Sequence, residues 1–257
     1  MSLIHALILG IVEGVTEFLP ISSTAHLIIT NRLLNLSQTE FHKLFEVFIQ
    51  AGAICAVIVV YLKYIVKNKP ITKKVMVSFF PTAILGFLLY RWIKDIFFES
   101  FLLIAASFLI IGIGFLLIEF LVEKKQLRLV QSIKRLNFAQ ALVIGLAQSL
   151  AVVPGVSRAG IVLITMMMMG YKREEAAIYS FLLAVPTILA ASFFDLYKNR
   201  EIVFSNLDNL WILLFGFWIS FIFAYLSIKW LIGYLQKNRL TVFGLYRIII
   251  ALLLFMV

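Results

Sequence analysis

Residues 13–26 read Glu13-Gly-Val-Thr-Glu17-Phe-Leu-Pro20-Ile-Ser22-Ser23-Thr24-Ala25-His26, and residues 154–160 read Pro154-Gly155-Val-Ser157-Arg158-Ala159-Gly160. Both polar strings lie inside apolar stretches long enough to enter a bilayer. An ionised side chain at bilayer depth costs at least about 2.5–3.5 kcal/mol. Two carboxylates, a histidine and an arginine are therefore expected to meet one another, and a charged ligand, rather than lipid.

The surrounding composition sets the class. The chain has 257 residues, of which 63% are hydrophobic and only 14% charged. A soluble domain of this size carries about 45–50% apolar and about 25% charged residues. The expectation is an all-α polytopic membrane protein in a single membrane domain. The formal charge of +10 reads as Lys and Arg gathered in cytoplasmic loops, so no nucleic-acid partner is expected. Residues 1–12 lack the basic start and cleavage site of a signal peptide. The single Cys55 reads as a small packing residue, and three histidines with one cysteine make no zinc-type set.

Apolar segments near 44–62, 75–92, 101–121, 176–194, 210–232 and 240–257 are expected to give six transmembrane helices. Regions 2–34 and 137–170 are each broken midway by Pro, Ser and charge. Irregular backbone at membrane depth is tolerated only where protein buries it or water reaches it, so both read as re-entrant helical hairpins. Lys63–Lys74 and Lys124–Arg135 are basic loops two crossings apart, hence on one side. Lys172, Arg173, Lys229, Lys237 and Arg239 join them, leaving Arg32, Lys43, Arg91, Lys94, Lys198 and Arg200 outside.

The two halves echo each other. Pro20-x-x-Ser23 aligns with Pro154-x-x-Ser157, each after a glycine-led helix (Gly10, Gly145). One hairpin plus three spans per half is an odd number of crossings, so the second half is expected to be an inverted repeat of the first, about 1–121 and 137–257. Such repeats place their site near the midplane, at interrupted helices.

Glu13 and Glu17 share one helix face; they can hold a divalent cation, or one can act as a base. Pro20 should break the helix, and Ser22, Ser23 or Thr24 can cap the next one. A helix start offers free N–H groups and positive dipole to phosphate. Within it Ser23 can be a nucleophile and His26 its base or a proton donor. In the second string Gly155 permits close backbone approach, Ser157 can cap, and Arg158 suits bidentate phosphate contact. The structural alternative is that Arg158 only pairs with Glu13 or Glu17. Glu46 and Gln50 share a face and can line the cavity. His5 and His42 read as interfacial surface groups, and Arg247 as snorkelling or paired with a carboxylate.

On these strings the chain resembles the undecaprenyl-pyrophosphate phosphatase family, BacA/UppP, with Phe45-Glu-Val-Phe-Ile-Gln50 and Ser180-Phe-Leu-Leu-Ala-Val-Pro186 also fitting. Ala25 stands where glycine is frequent in that family, and Ala159 where a second serine is frequent. The resemblance implies a hydrolase of the bacterial cell membrane that converts undecaprenyl pyrophosphate to undecaprenyl phosphate, the carrier for peptidoglycan, and confers bacitracin resistance. It implies a site opening to the outer face and an associated Mg2+ or Ca2+. The functional positions it implies are Glu13, Glu17, Ser22, Ser23, Thr24, His26, Ser157 and Arg158. The expected roles are Glu17, Ser23, His26 and Arg158 as catalytic, Ser22, Thr24, Gly155 and Ser157 as substrate-binding, and Glu13 with Glu17 as metal ligands. The expected partners are the polyprenyl pyrophosphate, the bilayer and a second copy in a homodimer.

Two rivals follow from the same features. A transporter of an anionic polyprenyl phosphate would use the same inverted repeats and Arg158. A lipid phosphatase of the phosphatidic-acid type needs a histidine after its last Ser-Arg string, and none occurs beyond His42.

Overall fold

The computed structural model describes residues 1–37, 39–88, 101–200 and 207–256, with the side chains of 207 and 208 left aside. The described residues form ten α-helices: α1 Leu3–Thr16, α2 Ser23–Leu33, α3 Glu40–Lys67, α4 Lys69–Leu88, α5 Phe101–Glu123, α6 Phe138–Ser149, α7 Arg158–Met168, α8 Arg173–Lys198, α9 Leu207–Lys237 and α10 Thr241–Phe255. Arg91 and Lys94, expected outside, lie beyond the described residues.

Chain length separates two kinds of helix. Helices α3, α4, α5, α8 and α9 are long and apolar enough to cross a membrane. The arms α1, α2, α6 and α7 have 14, 11, 12 and 11 residues. At 1.5 Å per residue they reach about 16–21 Å, short of a hydrocarbon core of about 30 Å. They pair as α1 with α2 and α6 with α7, the broken hairpins that the polar strings call for. The sixth expected span differs: α10 is a 15-residue helix, about 22 Å long, packed along α5.

Small residues set these pairings, because lipid offers no hydrophobic drive for helices to associate and close van der Waals approach must supply it. The buried stripe of α1 is Ala6, Leu9, Gly10, Glu13 and Gly14, at helical spacing. A Cβ on Gly14 would lie 2.8 Å from the Phe223 side chain, and one on Gly10 3.0 Å from the Gly216 carbonyl. Helix α1 is thus seated on the backbone of α9. Gly145 seats α6 on Ser78 of α4 in the same way, and there the Ser78 hydroxyl donates to the Ala141 carbonyl at 2.6 Å. Gly112 and Gly244 join α5 to α10. The outer surface carries Phe80, Ile110, Leu117, Trp218 and Trp230, all exposed, as a lipid-facing surface requires.

One end of the bundle gathers the basic loops. Buried Glu119 takes Arg173 through Nε and Nη2 and accepts the Leu240 backbone N–H at 2.9 Å. Arg239 pairs with Glu123 at 2.7 Å, and Glu175 accepts from the Ser132 hydroxyl and the Ile133 N–H. Loops after α5, α7 and α9 therefore share one end, as their lysines and arginines imply.

Candidate active site

The site is built where both hairpins turn. Helix α1 stops at Thr16, although Glu17 still donates its N–H to the Glu13 carbonyl at 2.9 Å. Phe18 is wholly buried against Phe181, edge to face at 5.3 Å. Pro20 cannot continue a helix, and Ser22 takes φ 72°, ψ 93° before α2 begins at Ser23. In the second hairpin Gly155 has φ 91°, and Ser157 takes φ 69°, ψ 114° before α7 begins at Arg158. A non-glycine residue at such φ costs about 1–3 kcal/mol and persists only where its surroundings hold it. Gly155 needs its glycine twice over, since a Cβ there would lie 2.8 Å from the Ile104 carbonyl.

The two helix starts meet on one carboxylate. Ser23 donates its hydroxyl to Glu17 Oε2, and Arg158 Nη2 donates to Glu17 Oε1 at 3.0 Å. Arg158 Nη1 also reaches the Ser180 carbonyl at 3.3 Å. The Glu17 side chain is only 9% exposed and that of Arg158 12%, so neither faces lipid.

Around this pair lies a cavity of about 190 Å³ lined by Glu17, Ser22, Ser23, Thr24, Gly155, Ser157 and Arg158, closed by Gln50 of α3 and Thr187 of α8. The caps differ. Ser157 Oγ accepts the Gly160 N–H at 3.1 Å, whereas Ser22 makes no side-chain cap. The start of α2 thus keeps the Ser22 and Thr24 hydroxyls and its free N–H groups for a ligand, the arrangement that binds anions.

Of the nine residues given catalytic, binding or metal roles from the sequence, seven line this cavity and two, Glu13 and His26, do not; of the α3 pair expected to line it, Gln50 does and Glu46 does not. Glu13 lies wholly buried behind it, with neither carboxylate oxygen hydrogen-bonded. It is close enough to Glu17, Glu46 and Arg158 to feel their charge. Two orphaned oxygens one turn from Glu17 fit a divalent cation as donors. Among the described residues no three His, Cys, Asp or Glu side chains form a metal-ligating group. Such an ion would therefore take its other ligands from phosphate and water, as Mg2+ does in phosphate-handling sites.

His26 turns away from the carboxylates. Its Nδ1 lies 2.7 Å from the Ser22 carbonyl and its Nε2 2.6 Å from the Tyr246 hydroxyl. A carbonyl only accepts, so Nδ1 carries the proton and, in the neutral ring, Nε2 accepts from tyrosine. The ring stacks on Tyr246 with an interplanar angle of 9°. In this position His26 steadies the positive-φ Ser22.

Two expectations are overturned. Arg247 neither snorkels nor pairs with a carboxylate. It is wholly buried, donates from Nη1 to the Pro20 carbonyl at 3.2 Å and from Nη2 to the Gly155 carbonyl, and lies 4.5 Å over the Phe108 ring. One guanidinium thus ties the two turns together. A lone arginine in an apolar final helix was the only hint, and its partners are backbone carbonyls that carry no letter. His42 is also buried rather than a surface group; its Nε2 sits 3.0 Å from Asn31 Oδ1 and 3.3 Å from Glu46 Oε1. Asn31 Nδ2 completes the triad by donating to Glu46.

Comparison with known proteins places this geometry in a family. The profile described as "Bacitracin resistance protein BacA" matches residues 6–253. An undecaprenyl-diphosphatase of Campylobacter hominis is 44% identical over 252 residues, 98% of this chain and 97% of that protein. One from Persephonella marina is 43% identical over 97% of this chain and 96% of its own length. One from Aquifex aeolicus is 42% identical over 96% and 95%. With the match running through both hairpins and the spans between them, the chain belongs to the bacitracin resistance protein BacA family.

Proposed function

We propose that the chain is an undecaprenyl-diphosphatase, hydrolysing undecaprenyl pyrophosphate to undecaprenyl phosphate and inorganic phosphate. It thereby recycles the lipid carrier of peptidoglycan synthesis and confers resistance to bacitracin. The observation that carries this reading is Glu17, which accepts the Ser23 hydroxyl on one oxygen and pairs with Arg158 on the other. A hydroxyl polarised by a carboxylate, beside a guanidinium and two helix starts, is the equipment of phosphoryl transfer.

In this mechanism the diphosphate enters between the start of α2 and the start of α7. Arg158, with N–H groups to spare, and the free N–H groups of α2 take the charge of the transferred phosphoryl group. Either the Ser23 oxygen attacks the terminal phosphorus while Glu17 takes its proton, and a water then cleaves the phosphoserine, releasing phosphate and returning the proton to Ser23, or a water in place of Ser23 attacks directly and Glu17 takes its proton. The lipid phosphate leaves as an anion and needs no acid, because the second ionisation of a phosphate monoester lies near pH 6. His26 supports Ser22 rather than reaching the phosphorus. Mg2+ or Ca2+ would be held by Glu13 and Glu17 and would supply neutralising charge to the pyrophosphate oxygens.

The orientation belongs to the same proposal. Gln50 lies about 15 Å along α3 from Glu40 and about 25 Å from the basic end at Lys67. Thr187 and Ala191 likewise lie nearer Lys198 than Arg173 on α8. With the basic end cytoplasmic, the cavity opens to the outer face and the second half is inverted on the first. The transport alternative is not favoured by the diphosphatase relatives. The assembly is taken as a homodimer, which native mass spectrometry of the detergent-solubilised protein reads directly.

The test is phosphate release from a polyprenyl pyrophosphate by purified protein in detergent with Mg2+ or Ca2+. No release from folded protein sinks the proposal. Rapid quenching during turnover then decides the nucleophile: phosphate trapped on Ser23 marks a covalent step, and an unlabelled protein marks direct attack by water.

A further inference from the structure

An accounting of hydrogen bonds around the cavity singles out a residue of α3. Most of the polar side chains that line it are already committed. Ser23 is spent on Glu17, and Glu17 on Ser23 and Arg158. The Ser157 hydroxyl caps Gly160. The Thr187 hydroxyl donates to the Leu183 carbonyl at 2.8 Å and accepts from Gln148 Nε2 at 3.3 Å. Among the described lining residues three side chains make no hydrogen bond to protein: Ser22, Thr24 and Gln50. The first two belong to the start of α2. Gln50 comes from a different helix, half-buried in the wall.

A primary amide with two donors and an acceptor unused is costly at membrane depth. Gln148 shows what a structural glutamine looks like here: wholly buried, its amide nitrogen divided between Thr82 at 2.8 Å and Thr187. Gln50 has no such partners, although its neighbours hold it firmly. Ile49 is wholly buried, and Gly52 brings α3 so near the Phe217 backbone of α9 that no Cβ fits. The position is rigid and its amide is open to the cavity. Such a group is kept for a ligand.

We propose that Gln50 is a substrate-binding residue whose amide N–H groups donate to the non-bridging oxygens of the diphosphate, from the wall formed by α3. A neutral donor suits this place. It binds phosphate oxygen without adding a cation that would compete with Arg158 for Glu17. The inference rests on the diphosphatase reading and adds to it a contact supplied from outside both hairpins.

The experiment measures kcat/KM for a polyprenyl pyrophosphate, and the dissociation constant of inorganic pyrophosphate by calorimetry, for wild type, Gln50→Leu and Gln50→Glu. Folding is checked by thermal melting. Losing a neutral hydrogen bond should cost about tenfold in both quantities for Gln50→Leu. A carboxylate facing the phosphates should cost about a hundredfold or more for Gln50→Glu. If Gln50→Leu fails to fold, the near-isosteric Gln50→Glu decides alone. Values within twofold of wild type for the folded variants overturn the inference. If wild type releases no phosphate the diphosphatase reading falls, and pyrophosphate affinity still tests Gln50 by itself.

Discussion

Ser23 and Arg158 are the same position of two hairpins: each is the first residue of its helix, each follows a serine with φ near 70°, and both hold oxygens of Glu17. The pairing differs by one residue from the one suggested by Pro-x-x-Ser. The structural counterpart of Ser157 is Ser22, not Ser23. The same register puts Gln148 opposite Glu13, both wholly buried and both with unpartnered carbonyl or carboxylate oxygens. One hairpin thus carries hydroxyl and carboxylates, and the other carries guanidinium and amide at the matching places.

That division makes Ser23 and Arg158 separately indispensable. Ser23→Ala and Arg158→Ala should each lower phosphate release by roughly a hundredfold or more, in the range of charge-stabilising and nucleophilic groups. Arg158→Lys should recover little, since a point charge cannot hold Glu17 and a phosphoryl group in one plane. Initial rates on protein of unchanged melting temperature check this.

Arg247 should matter through stability first. Arg247→Met leaves the Pro20 and Gly155 carbonyls without their donor and should cost at least about 3 kcal/mol. Thermal unfolding in detergent reads the loss. Arg247→Lys should restore only part of it, because one ammonium does not span two turns in a fixed fork.

His26 should behave as a support. Tyr246→Phe removes the hydroxyl from Nε2 and should change kcat less than about threefold, since no reacting atom is lost. His26→Ala should lose more, through a loosened Ser22, but no phosphate should be trapped on position 26 in the wild type under rapid quenching. A phosphohistidine there would reverse the assignment.

The glycine seams give a structural control. Gly145→Ala and Gly52→Ala force a Cβ into the backbones of Ser78 and Phe217 and should destabilise by about 1–3 kcal/mol. Gly233→Ala meets nothing within 4 Å and should stabilise by about 0.5–1 kcal/mol. Melting temperatures of the three variants decide it.

Much of this was legible in the letters because the bilayer makes polar groups conspicuous. Glu17, Ser23 and Arg158 could be placed together from the cost of leaving any of them in lipid. The less legible features share a physical cause. Arg247 answers backbone carbonyls, which every residue has. His42 is satisfied by Glu46 one turn on in α3 and by Asn31 of α2; the i,i+4 partner is visible in the sequence, but the helix that brings Asn31 and buries the ring is not. The one-residue shift between Ser22 and Ser23 is a matter of φ, and adjacent serines hide it. Helix α10 begins where its apolar run does, at Leu240, whose N–H is held by Glu119.

The bond from Arg247 to both turns also has a meaning in time. The ribosome makes Glu13 and Glu17 well before Arg247, more than two hundred residues further along the chain. At about 5–20 residues per second the first turn waits roughly ten to fifty seconds for the side chain that anchors it. Through that interval the nascent chain holds two acidic groups in an apolar segment, and the mooring arrives only with α10. A chain cut short before Arg247 would therefore present its own defect, an unmoored acidic hairpin, to whatever surveys membrane proteins as they emerge.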